Sequence, residues 1–458
     1  MHRLHQPEKL SLKSIFYLHL ISATFIFASP VQGQITPDNT LGAEASRLNQ
    51  NQIINGVLSD TIDGGVRRDI NLFHSFSEFN IQDGQRVYFA NPTGVENILT
   101  RVTGGNGSSI FGTLGVNGTA NLLLINPNGI VFGQNASLDV QGSFVGTTAN
   151  GVQFGNQQLF SATNPQAPSL LMVSVPVGLQ YGNHPGAIQV QGASLQVPNG
   201  QTLTLVGGTV NIDGGQLLAP GGQVELGGVS ASGTVGLNND GSLSFPVNVA
   251  RDDVAIKNDA FVDVSSGGGG SIAITARNFT GTGAGTGLRA GIATDSGSVD
   301  AQAGDIDLNT TEAINLDAST VENIVGGRGK GNAGNINITA NNVSLTNGAY
   351  FDTTIYGQGN AGNITITARD AVSFDGAGDF GSGAYSWVNT GAMGQGGDIT
   401  ITSGSLSLTN GARVSTDMRG QGDGGDISIT SGSLSLTNGA YFDTTTYGQG
   451  KQPVVLGR

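Results

Sequence analysis

The sequence predicts an all-β chain wound as a single-stranded, right-handed parallel β-helix with three strands per coil. Three observations carry that prediction. The 458 residues include 74 glycines but only 11% charged and 6% aromatic side chains, while 37% are apolar, mostly Val, Ile, Leu and Ala spaced in twos. A disordered chain lacks those apolar residues, and a pair of ordinary globular domains does not use so much glycine. Short alternating segments end at Gly, Asn or Pro within a few residues, the pattern of strands closed by tight corners. Finally, one unit repeats openly: residues 334–339 (GNINIT) recur as 362–367 (GNITIT), 397–402 (GDITIT) and 425–430 (GDISIT), with Ile336, Ile364, Ile399 and Ile427 spaced 28, 35 and 28 residues apart.

Within each unit a second segment such as 343–348 (VSLTNG) and a third such as 349–352 (AYFD) follow the first. Three strands in 28 residues make one coil of a solenoid. Side chains such as Ile336 and Ile338 then point inward and stack on their equivalents about 4.8 Å away, while backbone groups pair with the coils above and below. Asn347, Asn410 and Asn438 share one corner position and are expected to form an amide ladder. At roughly 25 residues per coil, the chain beyond residue 33 would make about 17 coils and a stack of about 80 Å.

Residues 1–33 read as a signal peptide. His2, Arg3, Lys9 and Lys13 make a cationic start, the apolar run 15–28 is too short to cross a bilayer comfortably, and Val31 and Gly33 suit the positions before a cleavage site between Gly33 and Gln34. Residues 34–251 hold short strands with many corners, and the proline in 173–179 (VSVPVGL) is expected to take that segment out of the stack as a side hairpin. Residues 252–450 hold the repeats. The seven extra residues of the 35-residue interval fall in 375–387, with Phe380, Tyr385 and the single tryptophan, Trp387. An insertion can project as a loop, but the burial gained by a large aromatic favours Trp387 packing back on the coil. Residues 451–458 (KQPVVLGR) leave the repeat pattern and read as an atypical tail on a truncated array.

The segment 110–133 (IFGTLGVNGTANLLLINPNGIVFG) organises the rest: three apolar runs separated by Gly, Asn and Pro. At Asn126-Pro127-Asn128-Gly129 the proline sets φ for the first corner, and Asn128 and Gly129 both tolerate φ > 0. Taken alone this is a hairpin turn of any β protein. Asn126 and Asn128 are expected to hold the turn locally, Gly129 to permit its geometry, and Asn128→Asp to keep most of the turn propensity.

Its surroundings are more specific. His74 to Ile81 (HSFSEFNI) follow an H-x-F-x-x-F-N-V pattern, and Asn91-Pro92, 108–114 (SSIFGTL) and 120–133 follow in order. This ordered series, over about 60 residues, resembles the N-terminal haemagglutination-activity domain of the filamentous haemagglutinin family, the exoproteins of bacterial two-partner secretion. One departure is Asn91-Pro92-Thr93-Gly94, where many members carry N-P-N-L. The resemblance implies passage through the Sec machinery and recognition by a cognate outer-membrane transporter with POTRA domains. Folding would follow at the surface of a Gram-negative bacterium, so the chain would be secreted or held at the cell surface. It further implies adhesion to a host or surface glycan or protein receptor, with Asn126, Pro127, Asn128, Gly129 and Ile130, and less securely Asn91 and Pro92, as the secretion motif.

Several chemistries are disfavoured. The net charge is −14, and removing residues 1–33, which hold Arg3, Lys9 and Lys13 against Glu8, takes it to −16, so phosphate backbones are repelled and no nucleic acid partner is expected. Without cysteine there is no thiolate nucleophile, Cys metal site or disulfide. Parallel β-helices include pectin-degrading enzymes, so a polysaccharide lyase or hydrolase is the alternative. The densest acidic runs, Asp252-Asp253, Asp300, Asp305 and Asp307, have no recurring basic partner in the sequence and fit solvated edges. His74 and His184, the two histidines beyond residue 33, have no Ser/Asp arrangement nearby and read as structural. Residues 422–429 (GDGGDISI) resemble a calcium-binding nonapeptide, but the period is near 28 rather than nine, and acidic corner solvation is favoured. No enzyme activity, cofactor or metal is therefore expected.

Overall fold

The computed structural model describes residues 34–457 apart from 171, 239–240, 378–380 and 451–453. The expected signal peptide with Gly33, and Phe380 in the insertion, lie outside the described residues. Among the described residues strands dominate, with one short 3-10 turn, Gly42–Glu44, and no α-helix.

The strands stack in parallel into coils with three faces, as the repeat predicts. On the first face thirteen successive rungs open at Asn71, Asn97, Asn121, Phe144, Thr202, Gln223, Ser271, Ile306, Ile336, Ile364, Ile399, Ile427 and Val455, each paired in parallel with the next. Thirteen rungs rise about 58 Å at 4.8 Å spacing, fewer than the 17 coils expected from length. The difference has two visible sources: Phe144 pairs with Leu203 and Val224 with Ile272, separations of 59 and 48 residues, because the chain leaves the stack between them. Pairing runs unbroken through the expected boundary at 251/252, where Val210–Asp213 pairs with Val254–Lys257. In the expected tail, Val455–Gly457 adds a rung on Ile427–Ser431 rather than departing from the stack.

The excursions form their own antiparallel sheet from Gly151–Phe154, Leu159–Ser161, Pro176–Tyr181, Gly233–Leu237 and Leu243–Ser244. The proline-bearing segment leaves the stack as expected, but it joins five strands rather than one hairpin. That sheet covers the outer side of the first face, where Phe73, Leu99, Leu123 and Val145 point outward, and buries Phe154, Phe160 and Leu179 against them. Each such side chain removed from water contributes about 1.5–3 kcal/mol, which explains why a run like Asn121–Ile125 (NLLLI) is apolar on both sides.

The solenoid's own core is the inward column, including Ile336, Ile338, Val343, Leu345 and Phe351, all essentially buried. In the repeats the first two expected segments run together as single strands, Ile336–Thr346, Ile364–Asp375 and Ile399–Thr409, with a register shift in the pairing near Ala340 and Ala368. The first rung is not left open. Asn71–Phe79 pairs antiparallel with Ile35–Pro37 and with Val66–Arg68, which covers an edge that would otherwise template association.

Side-chain ladders lace the corners. Asp305, Asn335, Asn363, Asp398 and Asp426 each accept, through Oδ1, the backbone N–H of the residue one coil on, at 2.7–2.9 Å. Asp426, one of the two acids of the nonapeptide-like turn, is thus a rung of this ladder. The amide ladder expected at Asn347, Asn410 and Asn438 exists in part: Asn438 Nδ2 donates to Asn410 Oδ1 and Asn410 Nδ2 to Asp375, whereas Asn347 donates to Asp317. All three adopt φ of 51–54°, as does Ala318 (51°) one coil before Asn347.

Candidate functional site

The Asn126–Gly129 segment is a corner between two faces of one coil, not a hairpin turn. Asn121–Ile125 before it pairs with Asn97–Val102 and Phe144–Thr147, and Ile130–Phe132 after it pairs with Ser108–Ile110 and Ile188–Gln191. The Gly129 N–H donates to the Asn126 carbonyl at 3.1 Å, closing the turn. Gly129 has φ 118°, a conformation that favours glycine, while Asn128 is not among the positive-φ residues, so only one of the two residues suited to that region uses it.

Asn126 is completely buried and does three things at once. Its Oδ1 accepts the Asn128 N–H at 3.0 Å, and its Nδ2 donates to the Asn106 carbonyl and to Ser108 Oγ, each at 3.0 Å. The first bond holds the turn, and the other two tie it to the preceding coil. Asn128 is exposed and acts beyond the turn too: its Nδ2 donates to the Gly104 carbonyl at 2.8 Å. An aspartate there would put an acceptor against an acceptor, so Asn128→Asp is not the neutral exchange expected from turn propensity. On the other side Gly186 donates to the Pro127 carbonyl at 2.9 Å, and the Ala187 carbonyl accepts the Ile130 N–H at 3.0 Å. A Cβ on Gly186 would lie 2.4 Å from the Asn128 backbone, so that glycine lets the next coil seat on the corner. Asn126, Gly129 and Ile130 are buried, Pro127 is half-buried, and Asn128 is the motif's most solvent-accessible side chain.

Asn91-Pro92 sits at a different corner, between the third and first faces. Asn91 Oδ1 accepts the N–H groups of Thr119 and Ala120 at 2.9 and 3.1 Å, and its Nδ2 donates to the Val95 carbonyl at 3.0 Å. Both Asn-Pro pairs therefore staple neighbouring coils, Asn91 to the coil after it and Asn126 to the coil before. Gln34, the expected first residue after cleavage, is exposed, and its carbonyl accepts the Asn80 N–H at 3.1 Å.

Arg101 is the buried charged residue that sequence reading missed. Its guanidinium is buried and donates to Ser75 Oγ (3.0 Å), Thr40 Oγ1 (2.8 Å) and the carbonyls of Ser161 (2.9 Å) and Gln166 (3.0 Å), with the Phe160 ring centroid at 4.4 Å. Asp38 receives Ser75, Thr40 and Thr103 hydroxyls, which together hold its carboxyl below the usual range against the opposing effect of burial. One side chain thus joins the N-terminal segment, the stack and the excursion. Only its place in the apolar strand Asn97–Val102 hinted at this.

His74 is buried, with Nδ1 3.0 Å from Ser46 Oγ and its ring against Phe89, and burial pushes its pKa down to about 3. Asp252, Asp253, Asp305 and Asp307 of the acidic runs are engaged. Asp252 and Asp253 pair with Arg277 at 3.3 and 2.7 Å, a basic partner one coil away that sequence distance concealed. Asp307 accepts from Asn337 Nδ2 at 2.9 Å. The Trp387 indole packs back on the coil, its Nε1 donating to Ser415 Oγ at 2.7 Å.

The TPS secretion domain family model matches residues 33–274. The crystal structure of the HMW1 secretion domain from Haemophilus influenzae superposes with a TM-score of 0.62 at 17% identity, covering 93% of this chain and 98% of that one, which shows a shared fold. The filamentous hemagglutinin secretion domain structure covers 93% of this chain and 100% of its own at 12% identity, but its TM-score of 0.34 is too low to bear on the fold. No curated protein matches the chain.

Proposed function

The chain belongs to the TPS secretion domain family, and from that premise we propose that it is the exported partner of a two-partner system that acts as an adhesin at the cell surface. Residues 1–33 serve as the Sec signal, cleaved after Gly33. Residues 34–251 direct export through an outer-membrane transporter whose POTRA domains receive them in the periplasm, and residues 252–450 extend the solenoid that meets a surface glycan or protein. The observation that carries this reading is the family match over 33–274, a span that contains both Asn-Pro corners and the Arg101 network.

Asn126, Pro127, Asn128, Gly129 and Ile130, with Asn91 and Pro92, form the export motif in this reading. With Asn126, Gly129 and Ile130 buried, a transporter that reads the folded corner reaches Pro127 and Asn128, while one that receives an unfolded chain reads all of them. The test is expression with and without the cognate transporter. The chain should reach the medium or cell surface only with it, and equal export in its absence would refute the assignment.

A further inference from the structure

Five of the chain's eight tyrosines and its single tryptophan fall between residues 350 and 447. The coil register places Tyr350, Tyr356, Tyr385, Trp387, Tyr441 and Tyr447 along one outer side of successive rungs. Tyr350 shares a column with Gly383, Arg413 and Tyr441, and Tyr356 and Tyr447 follow the bridged Ile355 and Thr446, in line with Arg419 after Met418. The inward column of these coils holds its own apolar residues, Phe351 and Phe374 among them, and the row of rings lies outside it, with Tyr356, Tyr441 and Tyr447 exposed and Tyr385 buried beside them.

Two arginines are set into it. The Arg413 guanidinium lies 4.9 Å from the Trp387 ring centroid, 5.0 Å from Tyr385 and 5.8 Å from Tyr441, and Arg419 lies 4.8 Å from Trp387 and 6.0 Å from Tyr447. Arg419 pairs with the buried Asp417 at 2.8 Å. Arg413 instead donates to the Tyr441 hydroxyl at 3.1 Å, and among the described residues no carboxylate stands within ion-pair distance of it. In a chain of net charge −14 most other exposed arginines have an acidic partner. A guanidinium held by ring faces keeps its in-plane N–H groups for a carboxylate, which it binds two-pronged.

We propose that this strip binds an acidic polysaccharide, with the carboxylate of one sugar on Arg413 and neighbouring sugars along the tyrosines. An elongated row spanning several coils suits a chain ligand, and tyrosine presents both an apolar face and a hydroxyl, matching a sugar's two kinds of surface. The opposite end of the strip is acidic, with Tyr350 donating to Glu322 at 3.0 Å, so the anion is placed at the Arg413 end. The proposal deepens the surface-interaction reading above and names the ligand class.

Trp387, as the single tryptophan, is a built-in reporter. Titrating the purified full chain with oligogalacturonate should change its emission saturably, and the affinity should fall as salt rises. Cello-oligosaccharide should leave the emission unchanged. Arg413→Gln should weaken binding at least tenfold with an unchanged melting curve. If that variant melts early, Tyr356→Ala, at an exposed edge of the strip, should lower affinity several-fold in a fully folded protein. No response at millimolar oligogalacturonate, an equal response to the neutral sugar, or undiminished binding by the substituted proteins would overturn the proposal. Export of the same variants with the transporter should match wild type, so failure of sugar binding and failure of the export reading appear in separate measurements.

Discussion

Replacing Asn126 by alanine separates the two ways in which the corner can serve export. The side chain is fully buried and makes three hydrogen bonds at 3.0 Å, to the Asn128 N–H, the Asn106 carbonyl and Ser108 Oγ. At about 1 kcal/mol net per bond, Asn126→Ala should cost about 3 kcal/mol, more if the stranded Asn106 carbonyl finds no water. Asn128→Ala removes two bonds of an exposed side chain, to the Gly104 carbonyl at 2.8 Å and a longer one to Asn126 Oδ1 at 3.3 Å, and should cost about 1 kcal/mol. Urea unfolding of the purified chain measures both, and secretion with the cognate transporter is scored in parallel. If the corner matters as architecture, export falls with stability and Asn126→Ala is the worse variant. If the transporter touches the folded corner, Asn128→Ala abolishes export while its urea midpoint stays near wild type. A cost below about 1 kcal/mol for Asn126→Ala would refute the claim that this amide holds the coils together.

Asp352 lies buried one rung above Glu322, and burial first, with the Glu322 charge adding, pushes its pKa up to about 7. The folded state therefore holds a proton that the unfolded chain has lost, so stability is fullest below about pH 4 and declines as pH rises through 7, by at most about 4 kcal/mol. Asp352→Asn should flatten that limb of a stability-against-pH curve, and an unchanged slope would refute the assignment. Ala318 occupies the left-handed corner position that asparagine fills one coil later, so Ala318→Asn should raise stability by about 1 kcal/mol in urea unfolding. Arg101→Met strands the Ser161 and Gln166 carbonyls and removes the cation near Asp38, and should cost about 3–5 kcal/mol and expose the 150–166 excursion to protease first.

The solenoid was legible in the sequence because its physics is local. Period-two alternation around Ile336 and Ile338, glycine or asparagine at each corner and the 28-residue spacing all report what a strand must present to the coil above it, and the observed register pairs Ile336 with Ile364 as the spacing requires. The two Asn-Pro corners were singled out by resemblance, and the glycine conformation at Gly129 by residue type, whereas Asn128 does not take the positive φ expected of it. What only the tertiary structure decided lies between coils. Asn126 bonds to Asn106 and Ser108, Asn128 to Gly104, and Arg277 to Asp252 and Asp253, contacts whose sequence separations of 18–25 carry no signal in a single chain. The coil count failed for a related reason: an excursion's strands alternate like rungs, and only their antiparallel partners, such as Val152 with Leu179, remove them from the stack. Arg101 is the extreme case, since its four acceptors lie up to 65 residues from it in the sequence, and a lone arginine in an apolar strand becomes a cross-link only once folding has placed all of them around it.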